Sequence, residues 1–147
     1  MKELSSVINE VLVDLFNDIL NIEHKALSAT KFKDLSISEI HTIEAVTYQE
    51  RTMSEVARNL NITTGTLTIA INNLVNKGYV KRKRNEDDRR VVLVSLTQSG
   101  KVVFRIHKKF HDDMVKATIE GLNPNEQELL INSLSKLNKF FREKYKD

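Results

Sequence analysis

TMSEVARNLNITTGTLTIAINNLVNKGYVKRKRNEDDRRVVLVSL, residues 52–96, is the stretch from which the fold can be read. Met53, Val56, Ala57 and Leu60 recur at helical spacing, and Thr52 with Glu55 three residues on reads as a capping box that starts the helix. Asn61 follows, a residue that tolerates the left-handed backbone of a sharp turn. A second helix is expected to bury Leu67, Ala70, Ile71 and Leu74, and Gly78 is well placed to stop it. Two helices this short, joined this tightly, match a DNA-reading helix-turn-helix.

A basic hairpin comes next. Tyr79 to Arg84 and Arg90 to Leu96 are β-prone, joined by Asn85 to Arg89. Residues 77–90 hold seven cations (Lys77, Lys81, Arg82, Lys83, Arg84, Arg89 and Arg90) against Glu86, Asp87 and Asp88, a local excess of +4 where the whole chain carries +3. A solvated edge hairpin also uses Lys and Arg to block aggregation. Charge arriving directly after a helix-turn-helix favours a wing that clasps DNA.

Asp88-x-Arg90 followed by Leu96-Thr97-x-x-Gly100 resembles the wing signature of the MarR family of bacterial transcription regulators. The likeness covers nearly the whole chain. It implies an obligate homodimer on a pseudo-palindromic site, usually a repressor that a small ligand releases or recruits.

At 147 residues the chain has the length of one domain with a real core. Apolar content of 40% and charged content of 29% are ordinary for a soluble protein. No apolar run approaches the roughly 18 residues that span a bilayer, and no secretory apolar segment is seen near the N-terminus. Zero Cys excludes disulfides, thiol redox sensing and thiolate metal sites. One Pro and four Gly favour long helices. The expectation is a cytoplasmic, mainly α protein with a small β-hairpin wing.

Outside the central stretch, Leu4, Ile8, Val11, Leu15, Ile19, Ile22 and Ala26 form an apolar stripe at spacings of three and four. Val7, Leu12, Phe16 and Leu20 widen it beyond what one domain's core needs, which predicts contact with another subunit. Ser36 and Glu39 make a capping box for a helix with Ile37, Ile40, Ile43 and Val46. Thr97 caps a long helix carrying Val103, Ile106, Phe110, Met114 and Ala117, ending near Gly121. Asn123-Pro124-x-Glu126 starts a last helix with Leu130, Leu134, Leu137 and Phe141 on one face. The expected organisation is one MarR-type domain over 1–147. Within it 1–30 and 98–147 are dimerisation helices, and 36–96 is the winged DNA-binding head. Two-fold symmetry would set two recognition helices about 34 Å apart.

Removing the buried positions from the second helix leaves Thr63, Thr64, Thr66, Thr68, Ile69, Asn72, Asn73 and Asn76 to face DNA. Guanine is most often read by bidentate Arg, which is missing here; Asn suits adenine, and Thr and Ile methyls suit thymine. An A/T-rich operator is expected. The wing would add phosphate contacts, with Arg89 as a candidate and Arg84 also among the expected DNA-binding residues. The family resemblance makes Arg90 the minor-groove residue, oriented by Asp88.

Two constellations compete as effector sites. His107 and His111, at i and i+4, share a helix face, and with His41 and Glu23 they would suit tetrahedral zinc. These four positions are similar to the primary zinc site of the zinc-sensing MarR regulators of metal uptake. That group's second metal site uses a Cys and further acids, and this chain has no Cys. Phe32 to Glu44, Asp88 to Thr97 and Arg105 to Val115 resemble the MarR subgroup that represses fatty-acid synthesis and binds DNA better with long-chain acyl-acyl carrier protein. This second match is the denser one. It implies an acyl pocket lined by Leu15, Ile19, Ile22, Ile37 and Phe110, with Arg105, Lys108 and Lys109 facing the acidic carrier protein. On periodicity alone the apolar set would be ordinary core and the cations a solvated face. Catalysis would rest on zinc-activated water with Glu44 or Asp112 as base. No nucleophile motif or phosphate-binding Gly loop supports it, so no enzyme is expected and no cofactor is required beyond the candidate zinc. A winged module that binds only protein would carry an uncharged or acidic wing, and this wing is basic.

Overall fold

The structure is a computed structural model describing residues 3–145. The outer ends of the expected dimerisation helices, residues 1–2 and 146–147, lie outside the described residues. Nine elements follow in chain order: α1 (Leu4–Ser28), α2 (Ile37–Val46), β1 (Arg51–Thr52), α3 (Met53–Leu60), α4 (Thr64–Asn76), β2 (Val80–Arg84), β3 (Val92–Leu96), α5 (Gln98–Ile119) and α6 (Pro124–Lys144). The chain divides into two compact units, residues 1–110 and 111–147. Among the described residues, no helix is long and apolar enough to cross a membrane.

The helix ends follow the sequence signals. Ser36 accepts from the Glu39 N–H and Glu39 returns a carboxylate to the Ser36 N–H, so α2 starts in a complete capping box. Thr52 caps α3 by accepting from the Glu55 N–H at 3.1 Å, half of the expected box. Thr52 is also the last residue of β1, opposite Leu93 of β3, and its backbone belongs to that ladder. Asn61 takes the left-handed conformation, φ 54° and ψ 46°, and turns the chain from α3 towards α4. At the end of α4 the Tyr79 N–H reaches the Leu74 carbonyl and the Gly78 N–H that of Val75, with Gly78 at φ 85°. That is a Schellman stop, and it needs a residue without Cβ penalty.

Three antiparallel strands lie in the order β1-β3-β2. β2 and β3 pair from Val80 opposite Leu96 to Arg84 opposite Val92, two residues shorter at the tip than the β-prone run. β1 was not anticipated: two residues carry no periodicity, and they are strand only because β3 lies beside them. The core of the first unit is built from Ile40, Ile43, Val46, Val56, Leu67, Ile71, Leu74, Val94, Leu96 and Val103, all essentially inaccessible. Each such aliphatic side chain contributes about 1.5–3 kcal/mol on burial. Ala70, expected among them, is half-buried. Gly100 packs directly on the α4–β2 turn, where an added Cβ would overlap the Tyr79 carbonyl oxygen, with Leu96 Cβ 3.3 Å away.

α1 behaves differently. Only Glu23 and Leu27 are buried, while Leu4 is 76% exposed and Val7, Ile8, Val11, Leu15, Phe16 and Leu20 are exposed with it. In the second unit, α6 begins in a full Asn123–Glu126 capping box with Pro124 at its first position. It buries no residue, and Leu129, Ile131, Leu134, Phe140 and Phe141 are exposed.

Candidate nucleic-acid interface

The exposed face of α4 carries the expected residues. Thr63 caps the helix, accepting from the Thr66 N–H at 3.1 Å and donating to Thr66 Oγ1 at 2.9 Å. Thr68 donates back to the Thr64 carbonyl at 2.8 Å. The hydroxyl protons of Thr63 and Thr68 are therefore committed within the helix, which favours their methyl groups as the outward-facing chemistry. Ile69, 67% exposed, adds an apolar tip at the centre of this face. Thr64, Thr66 and Asn73 are exposed as well.

Asn72 is half-buried, and its Oδ1 accepts a hydrogen bond from the Arg82 guanidinium of β2. An Asn held this way keeps its NH2 protons and the second lone pair of its oxygen, the donor and acceptor that adenine reading needs.

The wing tip is internally organised. Asn85 Oδ1 accepts from the Asp87 N–H at 2.8 Å, an Asx turn, and the Arg84 guanidinium donates to the Arg89 carbonyl at 2.8 Å. Arg90 forms a two-pronged pair with Asp88, Nε to Oδ1 at 3.0 Å and Nη2 to Oδ2 at 3.1 Å. Those bonds hold the Asp88 carboxyl below the usual carboxylate range and push the Arg90 guanidinium up. The Arg90 side chain is nonetheless almost wholly exposed, so the pair orients a cation without hiding it. Two other cations of the basic run are engaged within the chain: Lys83 lies 3.2 Å from Glu50, and Lys77 faces Glu39 rather than solvent alone.

Between wing and helices opens a groove of about 720 Å³. Thr52, Ser54, Thr64 and Thr68 line it together with Arg82, Lys83, Arg84 and Arg90. Sequence alone does not single out the start of α3 for this groove, and it gives Arg82 only as one of the seven wing cations. The general geometry of a helix-turn-helix, whose first helix crosses the nucleic-acid backbone, was the signal that pointed to α3.

Away from this face, Glu23 of α1, His41 of α2 and His107 of α5 come together. His41 Nε2 is 3.1 Å from Glu23 Oε1, His107 Nε2 bonds to the same oxygen, and His107 Nδ1 lies 3.4 Å from Glu44. Glu23 and His107 are each only 3% exposed. Burial pushes the Glu23 carboxyl up, but hydrogen bonds from His107 and His41 outweigh it and leave it below its ordinary value. His111 follows His107 by one helical turn and opens the second unit. Of the expected acyl-pocket residues, Leu15 and Ile22 are exposed and Ile19, Ile37 and Phe110 half-buried.

The profile of the family described as "Transcriptional regulator SarA/Rot" matches residues 26–106. The chain is similar in structure to Streptococcus pneumoniae FabT in complex with DNA, at 41% identity and a TM-score of 0.83 over 95% of this chain and 98% of that one. It is 26% identical over 141 residues to the transcriptional regulator AdcR of Streptococcus pneumoniae, covering 92% of this chain and 93% of AdcR. An HTH-type transcriptional regulator of Bacillus subtilis, YfiV, is 33% identical over 88 residues, 59% of this chain; the chain spans only 54% of YfiV's length.

Proposed function

This chain belongs to the MarR and SarA/Rot class of winged-helix, DNA-binding transcriptional regulators, which are not enzymes, and from that premise we propose that it is a homodimeric cytoplasmic repressor of an A/T-rich pseudo-palindrome. The observation that carries this reading is the pairing of two surfaces. One is an α4 face of Thr, Ile and Asn with no cation; the other is a groove beside it with four. Methyl and amide groups discriminate bases, while the cations hold phosphates and release counterions. The uncovered apolar faces of α1 and of α6 support dimerisation, with 1–147 acting as one MarR-type domain and 36–96 as its head. Selection from a random DNA pool tests the reading: an A/T-rich inverted repeat is expected, and a G/C-rich consensus would overturn it.

The resemblance to fatty-acid-synthesis repressors, together with 41% identity to FabT, supports control of lipid-synthesis genes with acyl-acyl carrier protein as co-repressor. The exposed Arg105, Lys108 and Lys109 would meet the acidic carrier. The specific test is operator affinity with and without long-chain acyl-acyl carrier protein.

A second reading rests on the Glu23–His41–His107 cluster, which supports a zinc-responsive regulator of metal uptake. One carboxylate buried against two imidazoles is a donor set that suits zinc. Glu23, His41 and His107, with His111 one turn further along α5 as the expected fourth ligand, would hold the ion, which would supply a cross-link between α1, α2 and α5. Titration calorimetry on metal-stripped protein should then give tight stoichiometric binding that His107→Ala with His111→Ala abolishes. No binding tighter than micromolar would leave these groups as packing residues.

A further inference from the structure

The end of the recognition helix is tied to the α1–α2 linker by contacts that none of the DNA-facing groups make. The Tyr79 hydroxyl donates to Asp34 Oδ1 at 2.6 Å. Lys77 Nζ donates to the Asp34 carbonyl oxygen at 2.6 Å and lies 3.0 Å from the Glu39 carboxylate. The Tyr79 ring meets Phe32 edge-on, centroids 6.0 Å apart. Phe32 and Leu35 are buried, so this linker is part of the head's core and not a free tether. At the same turn, Thr97 donates its hydroxyl to the Gly78 carbonyl at 2.6 Å and its N–H to the Tyr79 carbonyl at 3.0 Å. Linker, recognition helix, wing strand and the start of α5 all converge on three consecutive residues.

We propose that Asp34, Glu39, Lys77 and Tyr79 form a latch that sets the position of α4, which makes Lys77 and Tyr79 positioning residues for base reading although neither faces DNA. The inference rests on the DNA-binding reading above. Beyond Asn76, α4 continues only into the Gly78 turn, whose residue resists rotation least. The latch supplies what the turn lacks: Lys77 to Glu39, Lys77 to the Asp34 carbonyl and Tyr79 to the Asp34 carboxylate each involve an ionised group, and such bonds are roughly twice as strong as neutral ones. Burial, the Asp34 hydrogen bond and the nearby acids push the Tyr79 hydroxyl above its ordinary range, so it stays a donor.

Positioning and charge predict different losses. A base-edge hydrogen bond needs its partners within about 2.7–3.2 Å. Attraction to phosphates decays over a Debye length of about 8–10 Å. A loosened α4 therefore forfeits sequence discrimination before it forfeits affinity for DNA in general. Lys77, with its ammonium held against Asp34 and Glu39, also drops out of the set of cations that neutralise phosphates.

The test uses the full chain, an operator fragment from the selected pool and a scrambled fragment of equal length, over a range of salt. Tyr79→Phe should weaken operator binding about tenfold, the equivalent of one lost hydrogen bond, and leave scrambled binding and the salt slope unchanged. Lys77→Met should likewise leave the slope intact, where a phosphate contact would lower it by about one. Asp34→Asn keeps an acceptor oxygen but loses the charge, so its operator binding should fall between wild type and Asp34→Ala, which reaches the same latch from the linker if Tyr79→Phe fails to fold. Parallel loss on both fragments, a reduced slope for Lys77→Met, or no change in any variant would overturn the latch. Wild-type protein that selects no sequence at all sinks the DNA reading itself, and the latch with it.

Discussion

In the head, Ile40, Ile43, Leu67, Ile71 and Leu74 are wholly buried, whereas Leu4, Ile8, Val11 and Leu15 stand exposed on a helix just as regular. The side-chain chemistry is the same in both. What differs is burial: α2, α3, α4 and the sheet close on one another, whereas α1 buries only Glu23 and Leu27 among its described residues. α6, in its own unit, is likewise without a buried residue. The comparison teaches that the head is a finished object and the terminal helices are not. Contiguous exposed apolar surface of this kind marks interaction sites in soluble proteins.

The contrast can be broken most severely from the helical side. Leu134→Glu with Phe141→Glu places two charges on the exposed face of α6. It should convert dimer to monomer in sedimentation, cutting affinity for a two-half-site operator on the order of 100-fold or more by loss of bivalency. The melting temperature of the head should barely move. A dimer that survives both charges would mean that this face is not the interface.

Ile71→Ala attacks the other side. Its fully buried side chain leaves a cavity on truncation, which should destabilise the head by about 2–5 kcal/mol in denaturant titration. The analogous Leu134→Ala should stay within about 0.5 kcal/mol for the monomeric chain. Equal effects of the two changes would erase the distinction between the regions.

Arg90→Ala gives the smallest and sharpest difference. The residue is exposed and its removal opens no cavity, so folding should be untouched while DNA binding weakens by about 1–3 kcal/mol at fixed salt. An unchanged dissociation constant would remove Arg90 from the interface. A matching fall in stability would show that the Asp88–Arg90 pair serves the hairpin instead.

Most of the fold was legible because its signals are local. Ser36 with Glu39, Asn123 with Pro124, Asn61 and Gly78 each act within a few residues of themselves, and each marks the boundary it was expected to mark. Long-range relations were less accessible. β1 exists only by pairing with a strand about 40 residues later. Thr47 adopts φ 65° although it is β-branched, and nothing in the sequence announces that. Within the interface, the exposed faces of α4 and the wing followed from periodicity and charge. The partners of individual side chains did not. Lys77 is one of the wing cations by sequence but lies against Glu39 and Asp34, and Asn72 is joined to Arg82 of the neighbouring strand.

The length of α4 has a consequence that belongs to information rather than energy. Its 13 residues rise about 1.5 Å each, so the helix extends roughly 20 Å, the height of about six stacked base pairs. If it specified about five of them fully, each from four alternatives, chance alone would supply a match about once per thousand base pairs. A genome offers on the order of a million or more competing positions, so one helix could not single out an address among them. Two heads reading inverted copies square the odds, to about one in a million. A recognition surface of that length is therefore too small to be unambiguous alone, and on the proposed dimer the uniqueness of its target would rest on the helices that join the two heads.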